Sequence, residues 1–185
     1  MKEVMVSGAS PVLMPREDPA GKIIFMLLLV LLIVVSFTAL ITLLAALFRG
    51  QTKRARDAVA EGPWWTLLIG LVGWIVFGGL AIWLWSQAFV ERLLETEVVP
   101  GFLVASCASV AIPVAICLFG APGLYTHIGS RIGELRGGET SDLRCVVTGA
   151  LVAIIAGLFP FLGWFVVLPL LLFVEFGAGA RSLLR

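Results

Sequence analysis

Four stretches of this chain, residues 23–48, 63–90, 98–126 and 145–174, contain no Asp, Glu, Lys, Arg or His. Each is longer than the roughly 20 residues that carry a helix across a bilayer core about 30 Å thick. No water in that core can satisfy a backbone N–H or C=O, so only helices or closed barrels survive there. The short alternating segments of a barrel are missing, which leaves helices. Composition points the same way: 60% of the 185 residues are apolar, 14% are charged, and the mean hydropathy is +1.07. A water-soluble domain of this make-up would have too few polar residues to cover its core. The expected fold class is therefore an all-α polytopic integral membrane protein.

The fourth stretch constrains the topology. As one helix its thirty residues would run about 45 Å, well beyond the hydrocarbon thickness. Pro160-Phe161-Leu162-Gly163-Trp164 supplies a helix-ending proline, a permissive glycine and an interfacial tryptophan. A tight hairpin there gives two short helices, 142–159 and 163–184; the alternative is one long, tilted, kinked helix. Lys/Arg asymmetry favours the hairpin. With five spans, one side receives Arg49, Lys53, Arg54, Arg56, Arg131, Arg136, Arg144, Arg181 and Arg185, against Lys2, Arg16, Lys22 and Arg92 on the other. With four spans the two C-terminal arginines change sides and the bias almost vanishes. The expectation is a compact bundle of five spans (23–48, 63–90, 100–121, 142–159, 163–184), N-terminus outside and C-terminus cytoplasmic.

Between the spans, 49–62 reads as a basic cytoplasmic loop and 91–99 as a short connection. In 122–136, Tyr125, Ile128, Ile132 and Leu135 recur at helical spacing opposite His127, Ser130, Arg131 and Glu134, which predicts an amphipathic interfacial helix. Gly137-Gly138 would end it, and Thr140-Ser141-Asp142 offers caps for the next helix. Residues 1–22, with Pro11, Pro15, Pro19 and mixed charges, lack the form of a signal peptide and are expected outside the membrane.

Small residues predict close helix contacts. Gly149, Ala153 and Gly157 form one stripe at i, i+4, i+8, and Thr66 with Gly70 repeats the theme on the second span, as do Ala105 and Ser109 on the third. Trp64, Trp65, Trp83 and Trp85 bracket the second span as interface anchors, while Trp74 falls mid-membrane as a lipid-facing or packing residue. Pro113 and Pro122 interrupt the third stretch; without intramembrane polar groups beside them, they read as kinks rather than as ion-binding breaks. Glu175 lies about 18 Å along the last helix and is the one charge that could be buried; an ionisable group at that depth is a candidate functional residue. A modest shift would instead let it reach headgroups or a basic partner. The lone His127 reads as solvated, and Cys107, Cys117 and Cys145, three without metal-ligand spacing, as small apolar packers.

Catalytic signatures are missing: no HExxH, GxSxG, P-loop or dinucleotide fingerprint. The expectation is no enzyme and no cofactor. A net charge of +1 without a long basic block removes the case for nucleic acid.

Val110-Ala111-Ile112-Pro113-Val114-Ala115, Tyr125, Gly129-Ser130-Arg131, Phe159 to Trp164 and the Gly177 to Ala180 run together resemble the membrane domain of bacterial bactofilin-related, polymer-forming cytoskeletal proteins. The resemblance covers residues 100–184. The chain lacks the Gly/Val-rich repeats of a bactofilin β-helix, so polymer formation is not carried over. The resemblance implies a bacterial inner-membrane module that anchors or assembles something else. Function is accordingly expected to be that of a non-enzymatic scaffold or accessory subunit contacting lipid and other membrane-protein subunits, with Lys53, Arg54, Arg56 and Arg131 as contact residues. The alternative is a small transporter or channel component using the broken helices and Glu175.

Overall fold

A computed structural model describes residues 19–93, 100–137 and 141–184, and every described element is helical. The helices are α1 (Pro19–Leu47), α2 (Arg49–Glu61), α3 (Pro63–Leu93), α4 (Pro100–Leu135), α5 (Asp142–Leu158) and α6 (Leu168–Leu184), with a wide π-turn, Gly163–Val167, leading into α6. Four segments are long and apolar enough to cross a membrane: Ala20–Leu47, Pro63–Val90, Val104–Leu135 and Gly163–Leu184. With 17 residues, α5 reaches only about 25 Å. Most of the N-terminal segment, residues 1–18, lies outside the described residues, as do 94–99 of the second connection, and Gly138 and Thr140 at the expected turn.

The chain divides into two units, Met1–Ile33 and Val34–Arg185. In the first, every residue from Ala20 to Ile33 is exposed, and from Ile23 onward this is the surface of a helix that is apolar all round. The second unit is a helix bundle. Its core joins Ile41 of α1, Ala121 and Tyr125 of α4, and Val146, Ala150 and Ala153 of α5. A smaller cluster joins Ala55 and Val59 of α2 to Leu124 and Ala178.

The Pro160 turn divides the fourth apolar stretch as its sequence requires. The N–H of Phe159 bonds the Ala156 carbonyl and that of Gly163 the Phe159 carbonyl, so few backbone donors are left open at the tip. Pro169 lies just past the π-turn; its missing N–H and bulky ring are accommodated by the wider winding before it. Among the described non-glycine residues Phe161 alone has a left-handed backbone, with φ +64°, and it is 79% exposed. An L residue there costs about 1–2 kcal/mol. Phe161→Gly should therefore raise stability in detergent by about 1 kcal/mol after glycine's own entropic cost. A thermal-unfolding series checks it, and a lower melting temperature would show that the turn is not held in this conformation.

Two expectations differ from the structure. The segment 49–62, expected as a loop, is helix α2. Its inner face is Thr52, Ala55, Ala58 and Val59, all buried, and these small side chains let it lie close to α4, where a Cβ on Gly123 would collide with Ala55. The segment 122–136, expected as a separate helix, continues α4 without a break through Pro113 and Pro122. Both prolines are fully buried, and neighbouring helices hold the turn that a proline would open in isolation. The broken third helix therefore does not form. Leu124, Tyr125 and Thr126 are core residues, whereas Leu135 is 88% exposed; the apolar stripe of 122–136 turns inward at its start and outward at its end. Gly137, in the left-handed region at φ +71°, then stops the helix.

Helix directions follow from the seams. Thr66 and Gly70 of α3 meet Gly177 and Phe173 of α6, and Tyr125 and Gly129 of α4 meet Gly149 and Cys145 of α5, so each pair runs antiparallel. Arg56 of α2 pairs with Asp142 at the start of α5 (3.9 Å), and Glu61 of α2 with Arg181 near the end of α6 (3.7 Å). The α5–α6 hairpin thus leaves from and returns to the end of the bundle that carries α2.

Candidate functional site

Charged side chains inside a helical bundle need partners, because leaving one uncompensated costs several kcal/mol. Two polar centres, one half-buried and one buried, answer that need.

The first is built around Arg181. Its Nη1 donates to the Ala58 carbonyl (2.6 Å), the Gly62 carbonyl (3.5 Å) and Thr66 Oγ1 (2.9 Å), and its Nη2 lies 3.7 Å from Glu61 Oε2. Thr66 Oγ1 in turn donates to the Ala58 and Gly62 carbonyls, each at 3.0 Å. These carbonyls close the last turn of α2, where a helix has unpaired acceptors and a partial negative charge. Arg181 is thus a C-terminal cap supplied by another helix. A helix of 13 residues with no large apolar side chain is marginal in isolation, so this cap, with the alanine face, is what makes α2 a fixed element.

The second centre is Glu175, 7% exposed, whose Oε1 accepts a hydrogen bond from the Tyr125 hydroxyl. Tyr125 is itself 3% exposed and stacks edge-on against Phe37, ring centroids 6.0 Å apart. One turn away, the Leu172 carbonyl accepts from Trp74 Nε1 (3.3 Å) and Cys117 Sγ (3.8 Å). Trp74, half-buried, therefore packs and bonds against α6.

The small residues sit on helix seams. Cβ atoms built on Gly149, Gly70 and Gly177 would fall on the carbonyl oxygens of Tyr125, Phe173 and Thr66, respectively. Ala153 is in the core and Gly157 faces Leu168. Thr66 is fully buried, between the seam and the Arg181 centre. The four basic residues singled out do not form one patch: Lys53 and Arg54 are exposed on α2, Arg56 pairs with Asp142, and Arg131 pairs with Glu134 at 3.2 Å on the far turn of α4. Trp64, Trp65, Trp83 and Trp85 all face outward, 55–76% exposed, as interface anchors do.

Sequence reading missed Arg181, which had counted only towards topology, and Tyr125 as the partner of Glu175. It also missed Gly177 and Gly179 as the close approach of α6 to α3 and α4. The Gly-x-Gly spacing beside a lone apolar-segment carboxylate was the available signal. Among the described residues, no group of three or more His, Cys, Asp or Glu is placed to hold a metal ion. Gln51 Oε1 is the one buried side-chain polar atom without a partner among them. Compared with family models, curated proteins and solved structures, the chain matches none.

Proposed function

We propose that this protein is a non-enzymatic scaffold or accessory subunit of a larger assembly in a bacterial inner membrane. The observation that carries the reading is the disposition of polar groups. Arg181 and Glu175 are taken up by intramolecular bonds, so the bundle offers partners its surface rather than a reactive interior. That surface includes an all-apolar helix segment, Ile23–Ile33, and the exposed Lys53 and Arg54 edge of α2. The likeness of residues 100–184 to bactofilin-related membrane domains fits a role in anchoring.

The same reading gives five crossings, with the N-terminus outside. Lys53, Arg54, Arg56, Arg144 and Arg181 lie at the end of the bundle that carries α2, which the positive-inside rule assigns to the cytoplasm. The charged last turns of α4 would leave the hydrocarbon there and run into the interface. At about 25 Å, α5 needs slight bilayer thinning to cross, and the exposed Phe159, Phe161 and Trp164 suit the opposite headgroup layer.

A mild-detergent pull-down of the tagged chain from native membranes, with mass spectrometry and native sizing, is expected to return a stoichiometric larger complex. A solitary species would overturn the accessory role. Burial of Glu175 favours one second reading, a small transporter or channel component: it predicts ion flux in liposomes that is lost in Glu175→Gln, where the scaffold predicts none.

A further inference from the structure

The carboxyl half of α1, the first turns of α2, Thr126 of α4 and the start of α5 line a partly open cavity of about 370 Å³, within the range of about 300–1,000 Å³ usual for small-ligand sites. Arg49, Lys53 and Arg56 line it against a single carboxylate, Asp142. That carboxylate is already 3.9 Å from Arg56, while Arg49 and Lys53 have no ion-pair partner among the described residues. The threonines in the wall cannot serve as donors. Thr42, Thr52 and Thr126 each give their hydroxyl hydrogen to the carbonyl one turn back, those of Thr38, Phe48 and Pro122. The Ser141 side chain, at the N-cap of α5, makes no capping bond among the described residues, and this helix amino end opens on the same cavity. The free donors are thus cationic and suited to an anion.

Immediately beside the cavity, and sharing Thr42 and Ala46 with it, runs an open groove of about 620 Å³ lined by Val34, Val35, Ala39, Leu43 and Leu151. It lies within an apolar segment long enough to cross a membrane. A cationic pocket that passes without a break into an apolar trough along a membrane helix matches one kind of molecule, with a phosphate at one end and a hydrocarbon chain at the other. We propose that this composite site binds one anionic phospholipid, its phosphate held by Arg49, Lys53 and Arg56 and an acyl chain lying along Val34 to Leu43 against Leu151. A free anion would use the pocket and leave the groove unused. The proposal requires only that α1 lie in lipid, and stands apart from the accessory role.

The full chain, purified in mild detergent and exposed to equimolar phosphatidylglycerol and phosphatidylcholine, is read by native mass spectrometry. One phosphatidylglycerol is expected to be retained in preference to phosphatidylcholine. The double variant R49E/K53E should lower that retention by roughly tenfold or more. R131E/R136E makes the same charge change on exposed residues at and just past the end of α4, outside the cavity, and should leave retention within about twofold. Ala46→Trp, filling the neck between pocket and groove, should abolish retention with every charge in place. Equal losses in the two double variants would reduce the effect to diffuse attraction and overturn the proposal. So would an Ala46→Trp protein that still holds the lipid, or displacement of the lipid by millimolar glycerol phosphate, which would mark a site for free anions.

Discussion

Replacing Gly177 with alanine should destabilise the bundle by about 3 kcal/mol, a large effect for one methyl group. The added Cβ would land on the Thr66 carbonyl oxygen. That is backbone of a neighbouring helix and has no rotamer to move, so α3 and α6 must separate along the whole seam. Association of helices in lipid rests on packing and hydrogen bonds with no hydrophobic drive between them, which leaves little to compensate for lost contact. Separation also pulls Thr66 away from the Arg181 guanidinium that donates to it. Gly79→Ala, on α3 itself, is the control. Nothing lies within 4 Å of a Cβ there, and alanine's better helix propensity should stabilise by about 0.5–1 kcal/mol. Thermal unfolding of the two variants in one detergent checks the pair; similar melting temperatures would mean that α3 and α6 do not approach as closely as described.

Arg181→Met should release α2. The substitution keeps most of the apolar stem but removes the donors to Ala58, Gly62 and Thr66 and the charge opposite Glu61. With an Arg181 side chain only 18% exposed, water replaces those bonds poorly, and a loss of about 3 kcal/mol is expected. The readout specific to this role is local. Amide hydrogen exchange across residues 50–61 should accelerate by about two orders of magnitude, while α4 and α6 change little. Arg181→Lys should rescue only in part, since one ammonium cannot match a planar fork set between two carbonyls and a hydroxyl. Unchanged exchange in α2 would show that its alanine face alone holds it.

These two residues mark where the sequence was and was not legible. The division of residues 145–174 was readable because its causes are local: a helix too long for the membrane, with a proline and glycine at its middle. Helix α2 was not, because its inward face is Thr52, Ala55, Ala58 and Val59, too small and too polar to register as an apolar stripe. Its amphipathic character exists only against the surface it fits. The separate helix expected at 122–136 failed for the opposite reason. Pro122 is a local stop signal, but Tyr125 and Thr126 are buried by α1, α5 and α6, and that tertiary support carries the helix through. Glu175 could be singled out from its depth alone, while its partner, fifty residues earlier, could not.

Hydropathy by itself determined that this chain forms helices long enough to cross a membrane, because lipid leaves a backbone no other way to satisfy its N–H and C=O groups over so many uncharged residues. The tertiary structure alone decided which carbonyls Arg181 caps, which helices the small residues bring together, and which cations share a cavity with an apolar groove. Those outcomes depend on pairs such as Arg181 and Ala58, 123 residues apart, whose meeting is set by the packing of whole helices and leaves no trace in the local pattern of either.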